Sequence, residues 1–396
     1  MKSILFVVPA FTVGGTNTSL VSLLPFIDTK GYKVFVYALN PIGPMGTEIA
    51  KYSIVINPID SEGIRDKGSL KEKLRSSFNL VLRFIKKVLG SVGIDLTPFY
   101  YRKQVHNLSR RQFDCVIAFQ EGDATRFVQY FKNTKRVAWI RSSYARYLSV
   151  TQTPPEDAIY EKYDLIVNVS KTAMDCFLQV MPQCRKKSLY VYNLVNVDRI
   201  LSLSKQAVDC VFDSSLFTIV SLGRVDKVKH FSEIPGIADH LKKRGIPFKW
   251  YIIGGPTMRY PEEFELIKNS IENRSLQNEV IMLGHQANPY PFLAKSNLLV
   301  CLSESETFNH TFAEARLLGV PILSVDYLGA EEFICDNQGG VLSGRDSICD
   351  ELGRIITDET YYCSLKSQAQ AFTYDNEKQL IKLYDCVFGD KAIENE

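Results

Sequence analysis

The chain has 396 residues, 45% hydrophobic and 23% charged, room for about two to three ordinary domains whose cores need no metal or disulfide support. No apolar run reaches the roughly 18 to 20 residues that span a bilayer, and Met1 to Val8, running straight into Pro9, reads as a first strand and not a signal peptide. Nine scattered cysteines, with no CxxC or Cys/His cluster, argue against a disulfide framework and a zinc site and for a reducing, cytoplasmic compartment. The net charge is +3, but Arg65 to Arg111 holds 12 Lys or Arg against 3 Asp or Glu, which leaves the rest of the chain net acidic. That asymmetry points to an anionic partner for one face.

In chain order, Ser3 to Val8 predicts a strand, Pro9 to Thr16 with Gly14-Gly15 a turn, and Ser19 to Ile27 a helix. Lys33 to Ala38, Asp114 to Phe119, Arg136 to Ile140 and Leu165 to Val169 predict further short buried strands alternating with helices, the pattern of a parallel sheet covered on both faces. Ser202 to Ser215 lacks periodicity and reads as a linker. The pattern restarts at Phe217 to Leu222. A helix is expected near Phe231 to Arg244, then strands at Trp250 to Ile253, Val280 to Leu283, Leu298 to Leu302, Pro321 to Val325 and Gly340 to Leu342. The expected fold class is α/β, two doubly wound, Rossmann-like units whose ligands lie beyond the carboxyl ends of the strands. Residues 1–200 form the first domain and 201–375 the second. Leu380, Leu383, Tyr384 and Val387 give 376–396 a terminal amphipathic helix.

Two segments carry the chemistry. Ser303 to Ala315 follows a buried strand and opens a helix, whose free N–H groups suit phosphate or sugar hydroxyls. Glu306 falls in the approach loop and Glu314 in the first or second helical turn, so the two carboxylates can serve separate vicinal diols. The plainer alternative makes these carboxylates solvated partners of the helix dipole. Gly223-Arg224-Val225-Asp226-Lys227-Val228-Lys229 also follows a strand. There Gly223 permits a sharp turn, and Arg224 and Lys229 can neutralise a diphosphate, Arg by bidentate contact and Lys as a point charge. A solvated loop is the alternative.

Taken in order, Arg-x4-Lys, then Leu283-Gly284 with Asn288-Pro289-Tyr290, then Glu-x7-Glu resemble the retaining family-4 glycosyltransferases of the GT-B fold. Gly14-Gly15, Tyr192 to Asn196, Gly319-Val320-Pro321 and Glu332-Phe333-Ile334 resemble further elements of that family. The resemblance implies two lobes facing across a cleft, the acceptor on the first and the nucleotide sugar on the second, with the terminal helix crossing back to the first lobe. It implies ribose binding by Glu314 and sugar binding by Glu306. Backbone amides of Phe308, Asn309, His310 and Thr311 would help hold the sugar and phosphates, and Gly15 and Gly223 would lie near the donor. His285 would edge the nucleotide pocket. Arg224 and Lys229 would stabilise the leaving diphosphate.

The expected activity is retaining transfer from a nucleotide sugar, UDP-linked by analogy with the family, to a glycolipid or polysaccharide precursor at the cytoplasmic membrane face. No cofactor is implied, and the absence of Asp-x-Asp agrees with metal-independent transfer. The family often carries a histidine near the donor sugar where this chain has Arg141, which keeps open an unusual, acidic sugar, a shifted alignment, weakened activity, an ordinary helix-start cation, or a silent partner subunit. A two-lobed nucleotide-sugar epimerase is the other rival. Leu70 to Leu89 places Leu74, Phe78, Val81, Ile85 and Val88 on one helical face ringed by Lys and Arg, either a peripheral contact with an anionic membrane or a helix packed on its own lobe. No nucleic-acid motif accompanies this charge.

Overall fold

The computed structural model describes residues 1–28, 31–56, 95–208, 212–213, 215–257, 260–334, 339–389 and 391. The basic Leu70 to Leu89 segment lies outside the described residues. The chain divides into two compact units, one of Met1–Leu194 with Glu377–Glu396, the other of Val195–Asn376.

In the first unit the strands are β1 (Ser3–Ala10), β2 (Lys33–Asn40), β3 (Ile54–Val55), β4 (Cys115–Ala118), β5 (Lys135–Ile140), β6 (Leu165–Asn168) and β7 (Ser188–Tyr190). They pair in parallel in the order β3-β2-β1-β4-β5-β6-β7. Strands buried on both faces need apolar residues at successive positions, and β1 has them from Ile4 to Val8. The strand order reverses at β1, which pairs with β2 on one side and β4 on the other.

The second unit repeats the plan with β8 (Phe217–Leu222), β9 (Phe248–Ile253), β10 (Val280–Gly284), β11 (Leu298–Cys301), β12 (Ile322–Val325) and β13 (Gly340–Ser343), in the order β10-β9-β8-β11-β12-β13. Its switch point lies between β8 and β11, paired through Leu298 with Ile219 and Leu299 with Val220. In the core, Trp250 donates its indole N–H to Ser221 Oγ at 3.1 Å, and Ser221 passes a hydrogen bond to the Val300 carbonyl at 2.8 Å. This chain satisfies three polar groups that burial would otherwise penalise.

Several expected boundaries move. The first helix begins at Gly15, which is thus a helical residue and not part of the turn. Ser202 to Ser204 are the last turn of the helix Val197–Ser204, which Asn196 starts by accepting from Arg199 N at 3.0 Å. The stretch from Phe231 opens as a tight 3₁₀ turn before the helix Ile234–Lys243. The two strands β3 and β7 carry too few residues, two and three, to show a period.

The C-terminal segment is a helix, Glu377–Lys382, continued by a π-helical stretch, Leu383–Val387. It is tied to the first unit. Tyr384 Oη donates to the Phe26 carbonyl at 2.6 Å, Gln379 Oε1 accepts from Tyr192 N at 2.9 Å, and Lys135 Nζ donates to the Cys386 carbonyl at 2.7 Å. Among the described residues no helix is long and apolar enough to cross a membrane, and no His, Cys, Asp and Glu group could hold a metal ion.

Candidate functional site

In the second unit the loops after β8 and β11 leave adjacent strands at the switch point, where an open α/β sheet forms its crevice. Gly223 has φ +154°, and a Cβ there would stand 2.9 Å from Lys229 Cε. A Cβ on Gly254 would meet the Gly223 carbonyl at 1.7 Å, so both glycines let this backbone close up. Asp226 then folds the turn, accepting from Val228 N and Lys229 N at 3.1 Å each. Glu304 N donates to the Val228 carbonyl at 2.9 Å and joins the two loops.

These constraints bring Lys229 and Glu306, 77 residues apart, into an ion pair of 2.7 Å, their side chains 16% and 19% exposed. Burial alone would lower the Lys229 pKa, but Glu306 and its neighbours outweigh that and raise it above the ordinary value. Arg224 remains at the surface, 67% exposed, within 3.4 Å of Asp226. Of the turn's three cations, Lys229 is largely buried, and Arg224 and Lys227 are exposed.

The helix expected after β11 begins only at His310 and runs to Leu317. Ser303 to Asn309 stay non-helical because Asn309 caps the helix, its Oδ1 accepting from Thr311 N at 3.2 Å and Thr311 Oγ1 at 2.6 Å. Asn309 also donates to Cys301 Sγ at 3.4 Å. Phe308 is buried edge-on to His310 and Phe333, with ring centroids 4.9 Å and 5.1 Å away. Glu314 sits in the second turn and accepts from Tyr290 Oη at 3.1 Å. Burial pushes its carboxyl up to about 7, partly offset by the Tyr290 hydrogen bond and by Lys229. His285 is exposed beyond β10, its Cβ 3.3 Å from where a Gly255 Cβ would lie.

Arg141 and Gly15 belong to the first unit. Arg141 follows β5 and is held on three sides: its N–H donates to Glu121 Oε2 at 2.8 Å, its Nη1 to Asn193 Oδ1 at 2.8 Å, and its guanidinium lies 4.8 Å from the Phe119 ring centre. Burial lowers the guanidinium's pKa, and the buried Glu121 partly restores it. Arg141 is thus an anchored residue and not a loose helix-start cation. A Cβ on Gly14 or Gly15 would meet nothing within 4 Å, so the glycines there leave open space beside the helix start.

Asp226, Tyr290, Glu121 and Asn193 were not singled out from sequence. Asp226, Tyr290 and Asn193 lie inside motifs quoted above, and an Asp just after a sharp turn is a recognisable cap. Nothing in the sequence marks Glu121.

Solved structures share this architecture. The chain superposes with a TM-score of 0.67 on HepE from Anabaena in complex with UDP and glucose, 16% identical and covering 94% of each chain. On TarM the score is 0.70, with 14% identity over 98% of this chain and 99% of that one. The two parallel doubly wound units give the chain the GT-B fold. Residues 208–372, within the second unit, match the family described as Glycosyl transferases group 1, and the chain is a family-4-like glycosyltransferase. One relative, the N-acetylgalactosamine-N,N'-diacetylbacillosaminyl-diphospho-undecaprenol 4-alpha-N-acetylgalactosaminyltransferase of Campylobacter jejuni, is 24% identical over 91% of this chain and 92% of its own length. A second, the poly(glycerol-phosphate) alpha-glucosyltransferase of Bacillus subtilis, is 33% identical over 27% of this chain and 17% of its own length.

Proposed function

We propose that the chain moves a sugar from a UDP-linked donor to a lipid-linked or polysaccharide-precursor acceptor, with retention of anomeric configuration and without a divalent metal. The observation that carries this is the Lys229–Glu306 pair at the switch point, followed within one helical segment by Glu314. In this reading Arg224 and Lys229 take up charge on the departing diphosphate, where fixed cations act most strongly in the transition state. Glu306 receives donor-sugar hydroxyls, and Glu314 receives the ribose hydroxyls in place of the Tyr290 hydrogen bond. Lys229 is held against Glu306, so a bound phosphate shares a lysine already in position. The names of the Campylobacter relative and of the UDP-bound fold neighbour support the acceptor and donor classes.

The deciding experiment offers UDP-sugars and lipid-diphosphate acceptors to the isolated chain, with and without EDTA. The product should keep the donor's anomeric configuration, and EDTA should leave the rate unchanged. Inversion, or a metal requirement restored by Mg²⁺ or Mn²⁺, would overturn those parts of the proposal. No turnover with any donor would favour the silent partner subunit.

Arg141 stands where the resembling family places a donor-sugar histidine, and its guanidinium, held by Asn193 Oδ1 and the Phe119 ring, favours an acidic sugar. Arg141→Ala should lower kcat/KM for an acidic donor by about tenfold or more, relative to a neutral one, through loss of a charge-assisted hydrogen bond. An unchanged donor preference would remove Arg141 from sugar recognition. Peripheral contact with an anionic membrane is proposed for Leu70 to Leu89. The test is sedimentation with anionic vesicles at low and high salt, and no salt-sensitive binding would dismiss it.

A further inference from the structure

The first unit carries a second concave surface at the opposite edge of its sheet from Gly15 and Arg141. It is a groove of about 1750 Å³ at the amino ends of β1, β4 and β5, where Ser3, Asp114 and Lys135 lie. Its walls bear six cations: Arg102, Arg111, Lys132, Lys135, Arg136 and Lys162. They come from separate parts of the chain: the helix Thr97–Leu108, the turn after it, the loop before β5, β5 itself and the loop before β6. Among the described lining residues Asp114 is the one carboxylate, and it already accepts from Ser3 N at 2.6 Å.

The cations differ in how firmly they are held. Lys135 is fixed by the carbonyls of Cys386 and Gly389, and Arg136 lies 3.6 Å from Asp164. Arg102 stacks 5.2 Å from the centre of the Tyr130 ring. Arg111, Lys132 and Lys162 are exposed, with Lys162 Nζ donating to Gln129 Oε1 at 2.7 Å. The floor includes the buried Phe113 and Phe131, so the charges line a concave surface backed by apolar side chains. Like charges converging over a low-dielectric floor focus the potential and repel one another until an anion enters. In a chain of net charge +3 this convergence is local and not a general excess.

We infer that this groove binds an extended polyanion, a linear chain bearing several phosphate or carboxylate groups, at a site separate from the transfer site. The volume exceeds the roughly 300 to 1,000 Å³ of ordinary small-ligand pockets, which favours a chain over a single phosphate. A bilayer is flat, and few of its headgroups could reach cations set around a groove. Base stacking on nucleic acid needs exposed aromatic faces, and Arg102 already covers the Tyr130 ring.

The test uses labelled inorganic polyphosphate of about fifteen units as the probe for a chain of closely spaced anions, read by fluorescence anisotropy at two salt concentrations. The variant Arg111→Gln/Lys132→Gln/Lys162→Gln changes only exposed residues. It should bind at least about tenfold more weakly, the loss expected when three charge contacts are removed together. A control, Lys205→Gln/Lys243→Gln/Lys268→Gln in the second unit, should bind as the wild type does, and both should keep the wild-type Tm. Equal weakening in the two variants, or none in the first, would overturn the groove. Groove-dependent binding to anionic vesicles or to a single-stranded oligonucleotide, tighter than to polyphosphate, would overturn the assignment of its occupant. None of these outcomes depends on the transferase reading, which the UDP-sugar assay tests by itself.

Discussion

Replacing Glu314 by Gln should weaken binding of the nucleoside diphosphate by about 1–3 kcal/mol at pH 8, the usual worth of a charge-assisted hydrogen bond. The same change should stabilise the free protein at that pH. Burial raises the Glu314 carboxyl from 4.5 to about 7, so the folded chain holds a proton that the unfolded chain has released between those values. Stability from this group is therefore fully present below about pH 4.5 and lost as pH rises through about 7, by on the order of 3 kcal/mol. The groups facing Glu314 are Tyr290 and Lys229, and both pull its pKa down against that burial. Ribose hydroxyls donate to the carboxylate, so wild-type affinity should climb from pH 6 to 8. The Gln variant should show a shallower profile, left with the ionisation of the diphosphate itself. Isothermal titration at pH 6, 7 and 8, with urea melts at pH 5 and 8, reads both effects. A wild-type affinity that does not change with pH, together with an unaffected variant, would take Glu314 out of the nucleotide site.

Replacing Arg224 and Lys229 together should cost far more in rate than in stability. Each cation aimed at developing charge is worth about 10²- to 10³-fold in kcat by analogy with other preorganised donors. Lys229 is the more demanding of the two, because Lys229→Ala leaves the Glu306 carboxylate, 19% exposed, without the ammonium 2.7 Å away. An uncompensated, partly buried charge is destabilising in its own right. Lys229→Met/Glu306→Gln separates the two effects: it should melt nearly as the wild type does and remain inactive. Arg224 is exposed, so Arg224→Ala should leave the melt unchanged and lower kcat alone. Rates measured at saturating donor decide the matter. Transfer near the wild-type rate in the double variant would mean that the diphosphate is neutralised elsewhere.

The elements of this fold that are long and apolar were legible from the residues alone. β1, β8, β9 and β11 are predominantly β-branched and apolar, and a strand buried on both faces has few other ways to be written. The glycine after β8 and the carboxylates eight residues apart after β11 were equally visible, because a sharp turn and a helix start each demand particular residue types. Short elements were not. β3 and the split of the last helix into α- and π-helical parts depend on what packs against them, which no local pattern records.

The partnerships within the site were decided by tertiary structure. Sequence placed Lys229 and Glu306 in separate motifs, 77 residues apart; only the pairing of β8 with β11 sets their loops side by side. It placed Glu314 on a helix but could not give its protonation, which follows from burial and from Tyr290, 24 residues away. Arg141 was visible as an unusual cation, whereas its anchoring by Glu121 and Asn193 required two other strand ends to converge on it. Residue type and spacing carry local conformation, because backbone preferences act over a few residues. Charge state and ion pairing are set by neighbours that only the folded sheet brings within a few ångströms.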